Sequence, residues 1–350
     1  MLFTPPDQKK LYDALVARDA SYEGRAYVGV ISTGIFCRLT CPARKPKPEN
    51  CRFFASVAEC MADGFRPCKR CHPLQPAAEA EPSVKQLLDA LEADPERRWS
   101  EDDIVRMGLD LSTVRRSFRR HFGMTFLEMA RQERLRYGFQ ALADGGRVID
   151  AQIDAGFGSP EAFRSAFARI VGLPPSKLLK GGLLRADWFK TPLGTMIAIC
   201  DAKSLHLLEF VDRKALPGEL KKLYAACHGD LGTGRFDTHD LVERQLNAFF
   251  EGRLPAFDLP LVLHGSAFTQ DVWRELLNIR AGETRSYSEI ARALDKPLAV
   301  RAVARANGAN QIGIIIPCHR VIGADGSLTG YGGGLWRKQK LIEIEAQYRI

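Results

Sequence analysis

No stretch of the 350-residue sequence reaches 18 consecutive apolar residues, so nothing in it reads as a membrane-spanning helix. The opening residues MLFTPPDQKK lack the basic-then-apolar order of a secretory leader, which sets the expectation of a cytoplasmic protein. No self-similarity at a solenoid period is visible, which argues against a stacked-repeat architecture. Cysteine is sparse outside one region. Six of the nine cysteines fall between Cys37 and Cys71, and an odd total in a cytosolic chain points to metal or reactive thiols rather than disulfides. What is present is the composition of a soluble globular protein, 45% hydrophobic and 26% charged, with length enough for roughly two or three domains. A formal net charge of +8 suits a polyanionic partner.

Two shifts in composition divide the chain. HPLQPAAEAEPS (72–83) reads as a linker, and at KGGLLRAD (180–187) helical patterning gives way to strand patterning. The expected domains are therefore 1–75, 83–182 and 185–350. The first contains TGIFCRLTC (33–41) and FRPCKRC (65–71). Cys37-x3-Cys41 and Cys68-x2-Cys71 are two close pairs, each able to grip one side of a tetrahedral ion, and four thiolates favour zinc in a closed site. Cys51 and Cys60 are alternative ligands outside any close pair. From Cys37 to Pro73 there are eight Lys/Arg against three Asp/Glu, a basic setting even after a zinc–tetrathiolate contributes its formal negative charge.

The middle segment has helical periodicity throughout. Ser100 is an expected N-cap with acids after it, Gly108 an expected turn, and Ser112 the expected cap of a second helix carrying Val114, Phe118 and Phe122 inward. Arg115, Arg116, Arg119 and Arg120 occupy the rest of that helix. The pattern recurs over 148–178, with Gly156-Phe157 at the turn, a helix from Pro160, Phe163 and Phe167 as core, and Arg164 and Arg169 exposed. Two helix-turn-helix units in a segment with 15 basic and 10 acidic residues between Arg97 and Lys180 fit major-groove binding.

In the third segment, 187–210 alternates as paired hairpins with Gly194 in a turn, a helix follows over 240–252, and a strand is expected around Leu259–Leu263. GIIIPCHRVIG (313–323) reads as a short buried strand, Ile314–Ile316, ended by Pro317. It would hold Cys318 at a rigid strand end beside His319, as a nucleophile with its base. Glu345 is the candidate carboxylate to orient the imidazole, with Glu343 its rival. A cysteine hydrolase fits less well, because no oxyanion motif accompanies the pair. A DNA-binding regulator with structural zinc and an inert Cys318 stays open on residues alone.

GETRSYSEIA, RAVARANGANQIGIIIPCHRVI and GYGGGLWRKQKLIEIEA resemble the O6-alkylguanine-DNA alkyltransferases, the likeness running over all of 185–350. GFGSPEAFRSAFARIVGLPPSKL is similar to the second unit of the AraC-type DNA-binding domain, and TGIFCRLTC with GFRPCKRC to the methylphosphotriester-repair domain of Ada-type proteins. The resemblance implies a multidomain α+β fold. Its parts are a small zinc-bound α/β domain, an all-α double helix-turn-helix domain, and an α+β alkyltransferase domain with a ribonuclease-like first part and a winged-helix-like second part. It implies single-turnover methyl transfer from O6-methylguanine to Cys318, with His319 as base through a water, Glu345 orienting it and Asn310 bracing the turn. Tyr287 and Arg301 would help swing the damaged base out, and Tyr331, between Gly330 and Gly332, would line the base pocket. Ala302, Ala306 and Gly308 leave a slim helix face for a minor groove. Cys37 would accept a methyl group from a backbone methylphosphotriester, with Cys41, Cys68 and Cys71 as the other zinc ligands. Arg44, Arg66 and Arg70 would then contact DNA, making the protein a transcription activator. The partners implied are damaged and promoter DNA and RNA polymerase, for a monomer working in the cytoplasm of a bacterium, associated with the nucleoid. The loop CRLTCPARKPKPENC departs from the family's usual inter-ligand loop.

Overall fold

The computed structural model describes residues 8–19, 22–23, 26–55, 57–71, 73 and 81–348. Most of the expected linker 72–83 lies outside the described residues. The chain divides into two compact units. One comprises 1–93, 100–126 and 323–328; the other comprises 94–99, 127–322 and 329–350. The expected 83–182 segment thus contributes to both.

In the first unit, α1 (Gln8–Ala17) precedes a four-stranded sheet of order β3-β1-β2-β4. The strands are β1 (Tyr27–Val30), β2 (Ile35–Arg38), β3 (Cys51–Phe54) and β4 (Arg66–Pro67), with α2 (Val57–Ala62) before the last. β1 pairs antiparallel with β2 and β3, and β2 pairs parallel with β4. Then come α3 (Pro82–Ala93), α4 (Glu101–Arg106) and α5 (Leu111–Phe122). Ser100 caps α4 in a reciprocal box with Asp103, and Gly108 adopts φ +75°. Asp110, not Ser112, caps α5, its carboxylate accepting from Thr113 N at 2.8 Å. The stretch Asp-Leu-Ser offers two capping side chains, and the helix starts on the earlier one, leaving Ser112 exposed in the first turn. Val114 and Phe118 are buried, while Phe122 is half-buried.

The second unit begins its helical part with α6 (Phe126–Ala143, from Leu127 onward), α7 (Val148–Asp154) and α8 (Pro160–Val171), the last capped by Ser159. A five-stranded sheet follows, of order β5-β9-β6-β7-β8. Its strands are β5 (Leu179–Lys180), β6 (Leu184–Thr191), β7 (Gly194–Cys200), β8 (Leu205–Phe210) and, after α9 (Leu216–Ala226), β9 (Leu231–Thr233). Alternate residues of this sheet serve two cores. Met196, Ala198 and Cys200 face one, with α10 (Asp237–Phe250), α11 (Ala267–Leu277) and the Ile314–Ile316 stretch. Ile197 and Ile199 face the other, with Phe139, Phe163 and Phe167 of the second helix-turn-helix unit. Phe139 stacks on Trp188 with ring centroids 5.0 Å apart. A sheet buried on both faces explains why β7 is apolar at every position after Thr195.

No strand forms at Leu259–Leu263. Pro260 has no N–H to donate, and only an isolated parallel bridge joins Leu205 to Leu261. The remaining elements are β10 (Arg285–Ser286), α12 (Tyr287–Ala293), α13 (Val300–Gly308), β11 (Val321–Ile322) and α14 (Leu335–Glu345). β10 and β11 pair parallel through Arg285–Val321 and Ser286–Ile322. The fold is multidomain α+β. Among the described residues, no helix is long and apolar enough to cross a membrane.

Candidate active sites

The thiol group of the first unit is assembled by strand pairing. Cys37 sits on β2 opposite Val28, and Cys68 follows β4, its N–H bonding to Phe36 O at 3.0 Å, so the two ends of the parallel pair bring the ligand pairs together. Cys41 closes a turn through its N–H to Arg38 O, and the Arg38 guanidinium ties down Cys71 by donating Nε–H to its carbonyl at 2.9 Å. The sulfurs of Cys37, Cys41, Cys68 and Cys71 all lie within 4.8 Å of one another. Tetrahedral zinc with bonds of about 2.3 Å would need S···S edges of about 3.8 Å, within that bound. Cys37, Cys41 and Cys71 are buried and Cys68 half-buried. Hydrogen bonds from Cys37 and Cys71 pull the Cys41 thiol far down, while the bond to Cys41, then that to Cys71 and burial, push Cys37 up. Four thiolates cannot coexist there without a cation, and the donor set suits zinc. Cys51 and Cys60 are not in the group. Cys51 donates to Lys47 O, and Cys60 packs in a separate cluster with Tyr27 and Phe36. Arg44, Arg66 and Arg70 are exposed.

The second centre is not built as the residue pattern suggests. Ile314–Ile316 form a tight turn, with Ile314 at φ +69°, and Cys318–Arg320 are one turn of 3-10 helix; the strand comes afterwards as β11. Asn310 is the reason. Its Oδ1 accepts from Ile312 N at 3.0 Å, and its Nδ2 lies 3.3 Å from Ile312 O, 2.9 Å from Ile316 O and 3.1 Å from Cys318 Sγ. One amide satisfies backbone groups that a strand would have paired with a neighbour, and the three isoleucines are buried in the core without any ladder.

Cys318 is buried at this turn. Burial pushes its thiol up, and the Asn310 hydrogen bond opposes that by favouring the thiolate. His319 Nε2 lies 3.0 Å from Glu345 Oε1 on α14. Burial drives the imidazole down and Glu345 draws it back up. Burial also works against the Glu345 charge, but the His319 ring and the Arg320 guanidinium carry that carboxyl down to about 2. Glu343 pairs with Lys340 instead, at 2.7 Å. His319 Nδ1 is buried without a hydrogen-bond partner.

Arg320 went unread in the sequence. It bonds both Glu345 oxygens, at 2.9 and 2.7 Å, and the Ile279 carbonyl. Its adjacency to the Cys-His pair was the available signal. Arg213, distant in sequence, gave none. It lies between Glu209 and Glu219 and donates to Asn310 O at 2.6 Å and Gly308 O at 2.8 Å, holding the loop behind the thiol.

Above the thiol, Tyr287 donates toward Thr329 O at 3.3 Å and Gly330 O at 3.5 Å, and Tyr331 meets His319 edge-on with centroids 6.5 Å apart. Arg301 and Ala302 are exposed on α13, as are Arg305 and Gly308. Ala306 is not on that face. It is 4% exposed, and its carbonyl receives the Trp273 indole N–H at 2.8 Å, so it packs inward.

Residues 10–73 match the metal binding domain of Ada, residues 105–181 a helix-turn-helix domain, and residues 267–347 the DNA binding domain of 6-O-methylguanine DNA methyltransferase. The bifunctional transcriptional activator/DNA repair enzyme Ada of Escherichia coli is 33% identical over 341 residues, covering 96% of each chain. The chain belongs to the Ada family. The methylated-DNA–protein-cysteine methyltransferase of Mycobacterium bovis is 60% identical over 101 residues, 29% of this chain and 61% of that one. A crystal structure of Mycobacterium tuberculosis O6-methylguanine methyltransferase aligns at 40% identity and a TM-score of 0.42, covering 48% of this chain and 95% of the other. As an Ada-family protein carrying the metal-binding module and four thiols gathered for an ion, the chain has zinc as its cofactor.

Proposed function

We propose that the protein is a methylated-DNA–protein-cysteine S-methyltransferase that repairs two lesions, each acceptor once, and uses one repair event as a transcriptional signal. The observation that carries the reading is the buried Asn310–Cys318 and His319–Glu345 arrangement in a chain that also holds four gathered thiols. At the first acceptor, His319 takes the Cys318 proton through a water and the thiolate attacks the methyl carbon of O6-methylguanine. The new S–C bond forms as the C–O6 bond breaks, and the proton returns to the departing guanine. Glu345 stabilises the transient imidazolium, and Asn310 stabilises the thiolate. The base must leave the stack to reach a buried sulfur; by the family resemblance Arg301 would fill the vacated position, Tyr287 would crowd the flanking phosphate and Tyr331 would line the pocket.

At the second acceptor, Cys37 sulfur attacks the methyl carbon of a methylphosphotriester, the C–O bond breaks, and a phosphodiester leaves with its charge restored. Zinc bound by Cys37, Cys41, Cys68 and Cys71 would keep the sulfurs deprotonated at neutral pH. Methylation of Cys37 removes one negative charge from the cluster, which lowers repulsion toward DNA phosphates and lets Arg44, Arg66 and Arg70 engage them. The domains we assign are 1–75 for phosphotriester repair, 83–182 for promoter binding and 185–350 for guanine repair. The protein acts as a monomer on double-stranded DNA in the bacterial nucleoid and engages RNA polymerase when methylated. Intact-mass and peptide mass spectrometry after incubation with DNA carrying both lesions tests the reading. One methyl on Cys37 and one on Cys318 without turnover supports it; zinc-bound protein with no adduct on either sinks it.

A further inference from the structure

The first unit contains a cavity of about 440 Å³ whose lining is strongly cationic. Arg18, Arg38 and Arg70 come from the thiol-bearing module and Arg116 and Arg120 from α5, and among the described residues Glu81 supplies the one lining carboxylate. Glu23 pairs with Arg38 and adds a second acid close by. Cys71 also lines the cavity, so a zinc–tetrathiolate cluster would set its two formal negative charges beside it; with those and both acids counted against the five arginines, the formal charge is still positive, at about +1. Two observations indicate what it is shaped to hold. Glu81 already behaves as an internal oxyanion: its carboxylate pairs with the Arg120 guanidinium and lies 3.1 Å from His121 Nε2. Arg120 Nε, by contrast, is buried with no hydrogen-bond acceptor. An unsatisfied buried donor on a guanidinium is costly, and an oxyanion with several acceptor oxygens relieves it while neutralising the crowded arginines. Burial works most against the Arg120 charge, Glu23 partly offsets that, and Arg18 repels it.

We propose that this cavity is a phosphate-binding site shared by the thiol-bearing module and the first recognition helix, with Glu81 acting as a built-in competitor for the anion. Phosphate presents tetrahedral oxygens to arginine forks from two directions, which a single carboxylate cannot do. The phosphate can be a free anion or one group of a DNA backbone. The second source rests on the DNA-acting reading above; the first does not.

The opposite signs expected of two substitutions make the proposal testable in the full-length zinc-loaded protein. Glu81→Gln removes the competitor and tightens binding about fivefold; Arg120→Gln weakens it by about the same factor. Arg120→Lys keeps the charge but loses the Nε donor, so it also weakens binding, and it covers the case in which Arg120→Gln does not fold. Calorimetric titration with inorganic phosphate and with pyrophosphate reads the free-anion source. Titration with an undamaged duplex of about 20 base pairs, at several salt concentrations, reads the backbone source. Opposite responses in the phosphate arm assign a free anion, and opposite responses in the duplex arm alone assign the DNA backbone. Glu81→Gln failing to tighten either interaction overturns the site. Methyl transfer to Cys318, measured by mass in the Glu81→Gln sample, reports separately on the repair reading.

Discussion

Glu345 Oε1 lies 3.0 Å from His319 Nε2, with neither side chain more than 1% exposed, so the two form a pair closed off from solvent. Arg320 completes it by donating to both carboxylate oxygens, including the one that meets His319. Removing the charge at one member should therefore affect chemistry and stability together. Glu345→Gln should slow methyl transfer to Cys318 about 100-fold, because the imidazole loses the group that steadies its protonated form. It should also destabilise the fold by about 3 kcal/mol, since Arg320 is left buried beside a neutral amide. Single-turnover kinetics and thermal melting measure the two effects. The pH dependence has a definite sign. The folded carboxyl, at about 2, sits below its unfolded value, so its contribution is full at neutral pH and fades as pH falls from about 4.3 through about 2. That acid-side loss should flatten in the Gln variant.

The opposite slope is built into Glu219. Burial raises its carboxyl to about 7 despite Arg213 at 3.3 Å. A raised acid binds its proton more tightly when folded, so stability falls as pH rises from about 4.3 through about 7. Glu219→Gln should therefore gain on the order of 2 kcal/mol at pH 8 and little at pH 4. Denaturant titrations at the two pH values decide it, and equal effects at both would refute the assignment.

Helix periodicity was readable wherever apolar spacing and local caps agreed, as at Ser100 and the buried Phe163–Phe167 pair. It misled where a side chain took over backbone work. The β-branched run at Ile314 promises a strand, yet Asn310, several residues earlier, captures the carbonyls and N–H that pairing would require. Nothing in the triplet itself encodes that. Ala306 read as groove-facing because small residues suit both a groove and a core, and only the Trp273 contact decides between them. The four thiols were legible because metal ligation depends on close pairs along the chain. Arg213 was not, because the Asn310 and Gly308 carbonyls it holds reach it only through the fold.

Metal removal should act locally at first. Chelation, or Cys68→Ser, should lower the melting temperature of the unit built on β1–β4, chelation by leaving four sulfurs crowded without a cation and the substitution by removing one of the four ligands. Zinc analysis should give one ion per native chain. Transfer from O6-methylguanine to Cys318, which lies in the other unit, should survive chelation.

Arg301 is exposed in the first turn of α13, so its truncation should leave the Cys318 centre intact. Arg301→Ala should slow repair of O6-methylguanine in a duplex about tenfold or more while leaving reaction with the free alkylated base unchanged. A residue that only supported the fold would slow both. A comparison of the two substrates at matched protein concentration separates these cases.

The boundary at 180–187 is where composition changes, but it is not where packing ends. Phe139 is fully buried, stacked on Trp188 of β6 at 5.0 Å and lying parallel to Phe167 of α8 at 5.9 Å. Ile197, Ile199 and Leu207 share this core with Ala155, Phe163 and Val171. A fragment starting at 185 would keep α9 on that core but lose Phe139, Phe163 and Phe167 from it, exposing much of the apolar face they cover, whereas one starting at 127 keeps them. The shorter fragment should therefore bind a hydrophobic dye and melt lower than the longer one, and Phe139→Ala in the full chain should cost about 3–5 kcal/mol. Because Phe139 and the sheet share one core, that loss should appear as a single transition that also takes methyl transfer at Cys318 with it. Separate melting of the helices, with the transferase centre unperturbed, would mean the two bury their apolar faces independently.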